Sequence, residues 1–141
     1  MKICCFLLMF LTTGCGLMQE LEVAKRGGHF VTFGRTNSIG FSGTKCDDTA
    51  LKELLPTLQE MHVSDLRFWG CSITSSSIET LLKLETLEEL TFWDSKIELG
   101  ELVKLNALPR LRELHIDVTK TNYSAAQLLK EKMPNVTIRS E

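Results

Sequence analysis

From Ile39 onward the chain alternates two kinds of apolar spacing. Short runs place apolar residues two apart, the period of a strand with one covered face. Between them apolar residues recur three and five positions apart, closer to the spacing of a helix with one buried stripe. The switch repeats. DLRFWGCSI (Asp65–Ile73) returns as ELTFWDSKI (Glu89–Ile97), and Leu66, Phe68, Cys71, Ile73, Ile78 and Leu81 each have a counterpart 24 residues on in Leu90, Phe92, Ser95, Ile97, Leu102 and Leu105. Ile39, Phe41, Thr44, Cys46, Leu51 and Leu54 precede the first set by 27, and Leu114, Ile116, Thr119, Thr121, Ala126 and Leu129 follow the second by 24. NVTIR supplies a last strand, with Val136 and Ile138 22 residues beyond Leu114 and Ile116. A fixed internal period of this length marks units that bury their apolar faces against one another, because one unit alone cannot.

Local signals punctuate these units. LMQELEVAKRGG reads as a helix stopped by Gly27 and Gly28, and HFVTF and SIGFSGT read as the first strands. Ser76 with Glu79, and Ser124 with Gln127, have the spacing of capping boxes. Asp47 and Asp48 precede the first helix of the repeat, where acidic groups favour the helix dipole. Pro56, Pro109 and Pro134 are expected outside the helices, in the returns to the strands.

The shared pattern is L-x-L-x-x-(C/S/T)-x-(I/C/T), then apolar positions five and eight residues further on. It resembles the leucine-rich repeat, in the cysteine-type and bacterial variants that carry Cys, Ser or Thr in place of the familiar asparagine. Those positions are Thr44, Cys71, Ser95 and Thr119. The resemblance implies an α/β leucine-rich-repeat solenoid, with a parallel sheet on the concave face, helices on the convex face and about four repeats. The segment upstream resembles the N-terminal cap of short bacterial proteins of this kind. The family likeness also implies binding, mainly of proteins, through the concave sheet.

If strands pair in parallel and in register, alternate residues share a face. Leu66 and Phe68 point inward, so Asp65, Arg67 and Trp69 point outward. Three outward columns follow: Ser38, Asp65, Glu89, Glu113; then Gly40, Arg67, Thr91, His115, Thr137; then Ser42, Trp69, Trp93, Asp117, Arg139. Both tryptophans become neighbours on an open sheet face. Tryptophan is the residue most enriched at binding hot spots along with Tyr and Arg. The expected binding site is therefore Trp69 and Trp93 as anchors, with Arg67, Asp65, Glu89, His115 and Asp117 as the polar surround. The competing reading is structural: paired indoles stabilise the sheet by cross-strand packing. The acidic column reads as solvated carboxylates, since calcium asks for more oxygens in a shaped loop.

The N-terminus adds a location. MKICCFLLMFLTTGCG has one lysine, an apolar run from Ile3 to Leu11, then small residues and Cys15. The run is a signal-peptide core, too short for a spanning helix of about 20 residues. LTTGC (Leu11–Cys15) resembles a bacterial lipobox, departing from it in having Thr12 where leucine is usual. The resemblance implies lipid on Cys15 and anchoring to a membrane of the bacterial cell envelope; simple cleavage would instead give a secreted or periplasmic protein. The expected organisation is residues 1–14 as signal peptide, 15–38 as lipidated N-terminus and cap, and 39–141 as repeats with a terminal strand. Cys46 and Cys71 are then the cysteines of the folded part. Spacing alone leaves open whether they pair, and two buried thiols are the preferred reading.

Composition narrows the classes. The 141 residues suit one domain, 43% hydrophobic and 24% charged, with a formal net charge of −2. No basic stripe is visible, so nucleic acid is not an expected partner. There is no CxxC, no P-loop and no GxGxxG. Of His29, His62 and His115, only His115 is placed on the outward face, and no serine or cysteine nucleophile joins it there. The sequence thus predicts a non-catalytic, envelope-anchored binding module for a protein partner, without cofactor or metal. A carbohydrate-binding module using the tryptophans as a stacking platform, and a structural protein self-associating through its terminal strand, are the alternatives.

Overall fold

The alternating runs form one six-stranded sheet in the computed structural model, which describes residues 18–30, 37–117 and 123–140. Its strands are β1 (Gly28–Phe30), β2 (Ser38–Ser42), β3 (Asp65–Trp69), β4 (Glu89–Trp93), β5 (Glu113–Ile116) and β6 (Thr137–Ser140), side by side in chain order. β2 to β6 are parallel; β1 is an antiparallel edge strand. Helical segments join the parallel strands: α2 (Asp48–Glu60), a 3-10 turn (Ser75–Ser77) running into α3 (Ile78–Leu81), a longer 3-10 segment (Leu99–Ala107) and α4 (Tyr123–Lys132). Residues 18–25, α1, are helical and precede β1. The fold is α/β with a mostly parallel, open sheet. The segment assigned as signal peptide, Cys15, Thr119 and Thr121 lie outside the described residues.

Registry makes the core. Ile39, Leu66, Leu90, Leu114 and Ile138 are successive partners across the sheet, and Phe41, Phe68, Phe92 and Ile116 form the next row. All nine are buried. The phenylalanine rings stack, with centroids 5.8 Å apart for Phe41–Phe68 and 5.5 Å for Phe68–Phe92, and planes within 14° and 6° of parallel. Leucines of the helical segments close the other side, among them Leu51, Leu54, Ile78, Leu81, Leu102, Leu105 and Leu129.

The last strand departs from its expected alignment. Leu114 pairs with Ile138, 24 residues on, rather than with Val136, so Thr137 sits beside Glu113 and Arg139 beside His115. A two-residue slip keeps every side chain on its own face. The period-2 pattern of Val136 and Ile138 therefore cannot distinguish the two alignments.

Helix boundaries also differ in detail. Asp47 is the cap of α2, its Oδ1 accepting the Ala50 N–H at 2.8 Å. Thr74, not Ser76, caps the second segment, its Oγ1 accepting the Ser76 N–H at 3.2 Å. Ser124 lies inside α4. Pro56 lies inside α2 rather than after it. It is exposed, as is Lys52, whose carbonyl would have received the missing bond, so water can satisfy that carbonyl. The third segment is 3-10, and its leucines have period three: Leu99, Leu102 and Leu105, with Leu108 at its cap. In a 3-10 helix residues i and i+3 eclipse, which sets all four on one side.

Adjacent units are also tied by one carboxylate. Asp48, in the first turn of α2, accepts from the Thr74 N–H (2.8 Å), the Thr74 hydroxyl (2.6 Å) and the Ser77 hydroxyl (2.5 Å) of the next unit. Burial pushes its pKa up, but the bonds from Ser77 and Thr74 outweigh it and hold the carboxyl below its ordinary value. A depressed pKa contributes stability that is complete above the unfolded value and lost as pH falls through the folded one. Asp48→Ala should cost about 1.5–3 kcal/mol in urea unfolding at pH 7, the range for a bond to a charged group. The gap between wild type and variant should shrink as the buffer is taken below the ordinary aspartate pKa.

Candidate functional site

The outward residues of β3 to β6 line a groove of about 370 Å³, walled by Arg67, Trp69, Glu89, Thr91, Trp93, Glu113, His115 and Arg139. Strand registry places them. Trp69 is the Cα partner of Trp93, Arg67 of Thr91, Asp65 of Glu89 and Thr91 of His115. After each of β2, β3 and β4 the chain turns through a left-handed residue, Gly43 (φ 75°), Gly70 (φ 59°) or Asp94 (φ 49°). Glycine and, less readily, aspartate adopt this conformation. The turn lets the Gly70 N–H donate to the Trp93 carbonyl at 2.9 Å and the Gly43 N–H to the Trp69 carbonyl at 3.0 Å, locking the strand ends that carry both indoles.

Five of the seven residues expected to bind, Trp69, Trp93, Arg67, Glu89 and His115, meet in the groove. Asp65 does not reach solvent: it is 3% exposed and accepts from the Ser38 hydroxyl at 2.6 Å and from Arg67 through Nε at 3.0 Å and Nη2 at 2.5 Å. It is the counterion that holds Arg67 down, and Arg67 in turn has its pKa raised by that contact. Asp117 lies past the end of β5, donating its N–H to the Phe92 carbonyl at 3.2 Å. It belongs to a separate hollow of about 120 Å³ with Asp94, Ser95 and Ile116.

Two groups outside the seven expected to bind join this face. Arg139 donates from Nε to Glu113 Oε2 at 2.9 Å, and His115 Nε2 lies 3.2 Å from the same oxygen. Arg139 first, and His115 second, hold the Glu113 carboxyl below its usual range. The acidic column is thus largely matched by cations: Asp65 by Arg67, Glu113 by Arg139, with Glu89 also acting on Arg67. The second is His29. Its ring stacks on Trp69 at 5.6 Å between centroids and 13° between planes. His115 is therefore not the only histidine on this face. Nothing in the 24-residue pattern signals His29, because β1 precedes the repeat and runs antiparallel to it; its registry partner Gly40 is the only clue.

Gly40 is the floor of this stack. A Cβ there would lie 2.4 Å from the Trp69 ring and 2.7 Å from His29 Nε2, closer than atoms pack. One face of Trp69 is thus taken up within the fold, while Trp93 faces the groove without a glycine beneath it. Among the described residues no three of His, Cys, Asp or Glu gather as metal ligands. No helix there is long and apolar enough to cross a membrane. No protein-family model matches the chain, and no curated protein matches it in sequence.

Two substitutions separate the packing role of Trp69 from its exposure. In a Trp93→Phe background, so that Trp69 alone emits, His29→Ala should red-shift the fluorescence and cost about 0.5–1.5 kcal/mol, the size of an aromatic pair. Gly40→Ala should displace the indole and destabilise by about 1–3 kcal/mol, as overpacking does. Unchanged emission in both would mean that Trp69 does not lie between His29 and Gly40.

Proposed function

We propose that this chain is a small leucine-rich-repeat binding module, without catalytic activity, that recognises a protein partner through the groove on its sheet. In this reading β2 to β6 and their helical segments are the coils of a solenoid whose concave wall carries the groove, and α1 with β1 is its N-terminal cap. Support comes from a register that follows the sequence period strand after strand, and from the left-handed turn at Gly43, Gly70 and Asp94 in successive units. The leader and Cys15 would place the module on an envelope membrane by a lipid anchor.

The observation that carries the binding role is the pairing of Trp69 with Trp93 beside Arg67, Glu89 and His115. An indole flanked by mutually neutralised charges offers apolar area with a polar rim, the anatomy of an interface centre. Trp93 is the principal anchor, because Trp69 is committed on one side to His29. The same fact weakens a carbohydrate platform, which needs open ring faces on neighbouring indoles.

Trp93→Ala should weaken capture of the partner from envelope extracts by about 30-fold or more, the loss of some 2 kcal/mol expected of a hot spot. Its circular dichroism and unfolding midpoint should stay near wild type. Leu128→Ala, an exposed apolar change on α4 away from the groove, is the control and should bind normally. Equal capture by wild type and by the Trp69→Ala, Trp93→Ala double variant, both folded, would remove the groove as the binding site; binding to glycans in place of protein would reassign its ligand.

A further inference from the structure

The two cysteines of the folded part come from consecutive units. Cys46 follows the turn after β2, and Cys71 follows the turn after β3. Just beyond them Asp47 and Ser72 form a parallel bridge, and the Ser72 N–H donates to the Cys46 carbonyl at 3.1 Å. Each cysteine therefore sits one residue before a bridged pair, directly opposite the other. Residues so placed on neighbouring strands are about 4.8 Å apart. That separation falls within the roughly 4.4–6.8 Å between Cα atoms that a disulfide spans. Both side chains turn into the core, Cys46 fully buried and Cys71 2% exposed. Both are free thiols. The Cys71 thiol lies 3.4 Å from the Phe41 carbonyl oxygen and 3.7 Å from that of Trp69, on the core side of the two strands that carry the pair. The contact with Cys71 and burial push the Cys46 thiol up, while the contact with Cys46 holds Cys71 down; burial keeps outside reagents from both sulfurs in the folded chain.

We propose that Cys46 and Cys71 are a cross-linking site, joined by a disulfide between the first two units when the chain folds in an oxidising compartment. The oxidant is a disulfide, of a small molecule or of an oxidoreductase. One cysteine thiolate attacks it, forming a mixed disulfide and releasing one oxidant sulfur as a thiol. The second cysteine thiolate attacks the mixed disulfide at the protein sulfur and expels the other oxidant sulfur. The two cysteines lose two electrons and their two protons; the oxidant disulfide gains both and becomes two thiols. The link closes the loop that carries α2 and β3, restricting the unfolded chain while leaving the native packing in place. Burial behind β2 and β3 then shields the bond from reduction. The compartment rests on the reading of residues 1–15 as an export signal; the geometry of the pair does not.

The test uses the full chain with Cys4, Cys5 and Cys15 replaced by serine, so that Cys46 and Cys71 are its two remaining thiols. Purified under reducing conditions, unfolded and allowed to refold in a mixture of reduced and oxidised glutathione, it should become lighter by two hydrogens in intact mass. It should then resist alkylation at Cys46 and Cys71 when denatured without reductant, and melt several degrees above its reduced form. Cys46→Ala and Cys71→Ala should each melt at one temperature whether or not oxidant is present. Both cysteines staying alkylatable, or each ending as a glutathione adduct, would overturn the proposal. Export is scored separately, by the mass of the N-terminal peptide from cells expressing the intact leader: an unprocessed N-terminus would remove the compartment and leave the in vitro result standing.

Discussion

Everything in this fold depends on the registry of one row of inward side chains. Phe41, Phe68 and Phe92 stack nearly parallel, and Ile39, Leu66, Leu90, Leu114 and Ile138 line up beside them. A slip by one residue in any strand would turn that strand's apolar set to water and its charges to the core. The aromatic ladder therefore sets the phase of the inner face, and with it the phase of the outer one. The groove is a consequence: Trp69 faces out beside Trp93 because Phe68 faces in beside Phe92.

What the registry leaves open is decided by small residues and by charge pairs on the outer face. Gly40 removes a side chain where Trp69 must lie, and His29 covers the indole from the antiparallel edge. Asp65 gives up solvent to clamp Arg67, and Glu113 is shared by Arg139 and His115. These contacts cost the face some of its apparent charge and gain it rigidity. Such a surface is preorganised, so less side-chain entropy is lost when something covers it.

The same stacking brings chemistry together behind the strands. Asp48 reaches forward to Thr74 and Ser77, and Cys46 meets Cys71, both at the junction of the first two units. Both ties sit at the N-terminal end of α2, the longest helix among the described residues.

Much of this was legible in the residues themselves. The strands, the order of their inward positions and the pairing of Trp69 with Trp93 follow from a period that recurs at 24 and 27 residues, because a repeated pattern and a two-residue alternation together define a face. The alignment of β6 was not legible, since Val136 and Ile138 satisfy the same face in either of two alignments. The 3-10 form of Leu99–Ala107 was not legible either, since Ile78, Leu81, Leu84 and Leu87 have the same spacing and begin in an α-helical turn. The remaining features belong to the tertiary structure alone. His29 reaches Trp69 only because β1 folds back antiparallel, Asp65 is buried only because Ser38 and Arg67 close over it, and Asp117 falls outside the groove only because β5 ends at Ile116. Periodicity tells which way a side chain points; which atoms it meets there depends on groups distant in sequence, and those are chosen by packing.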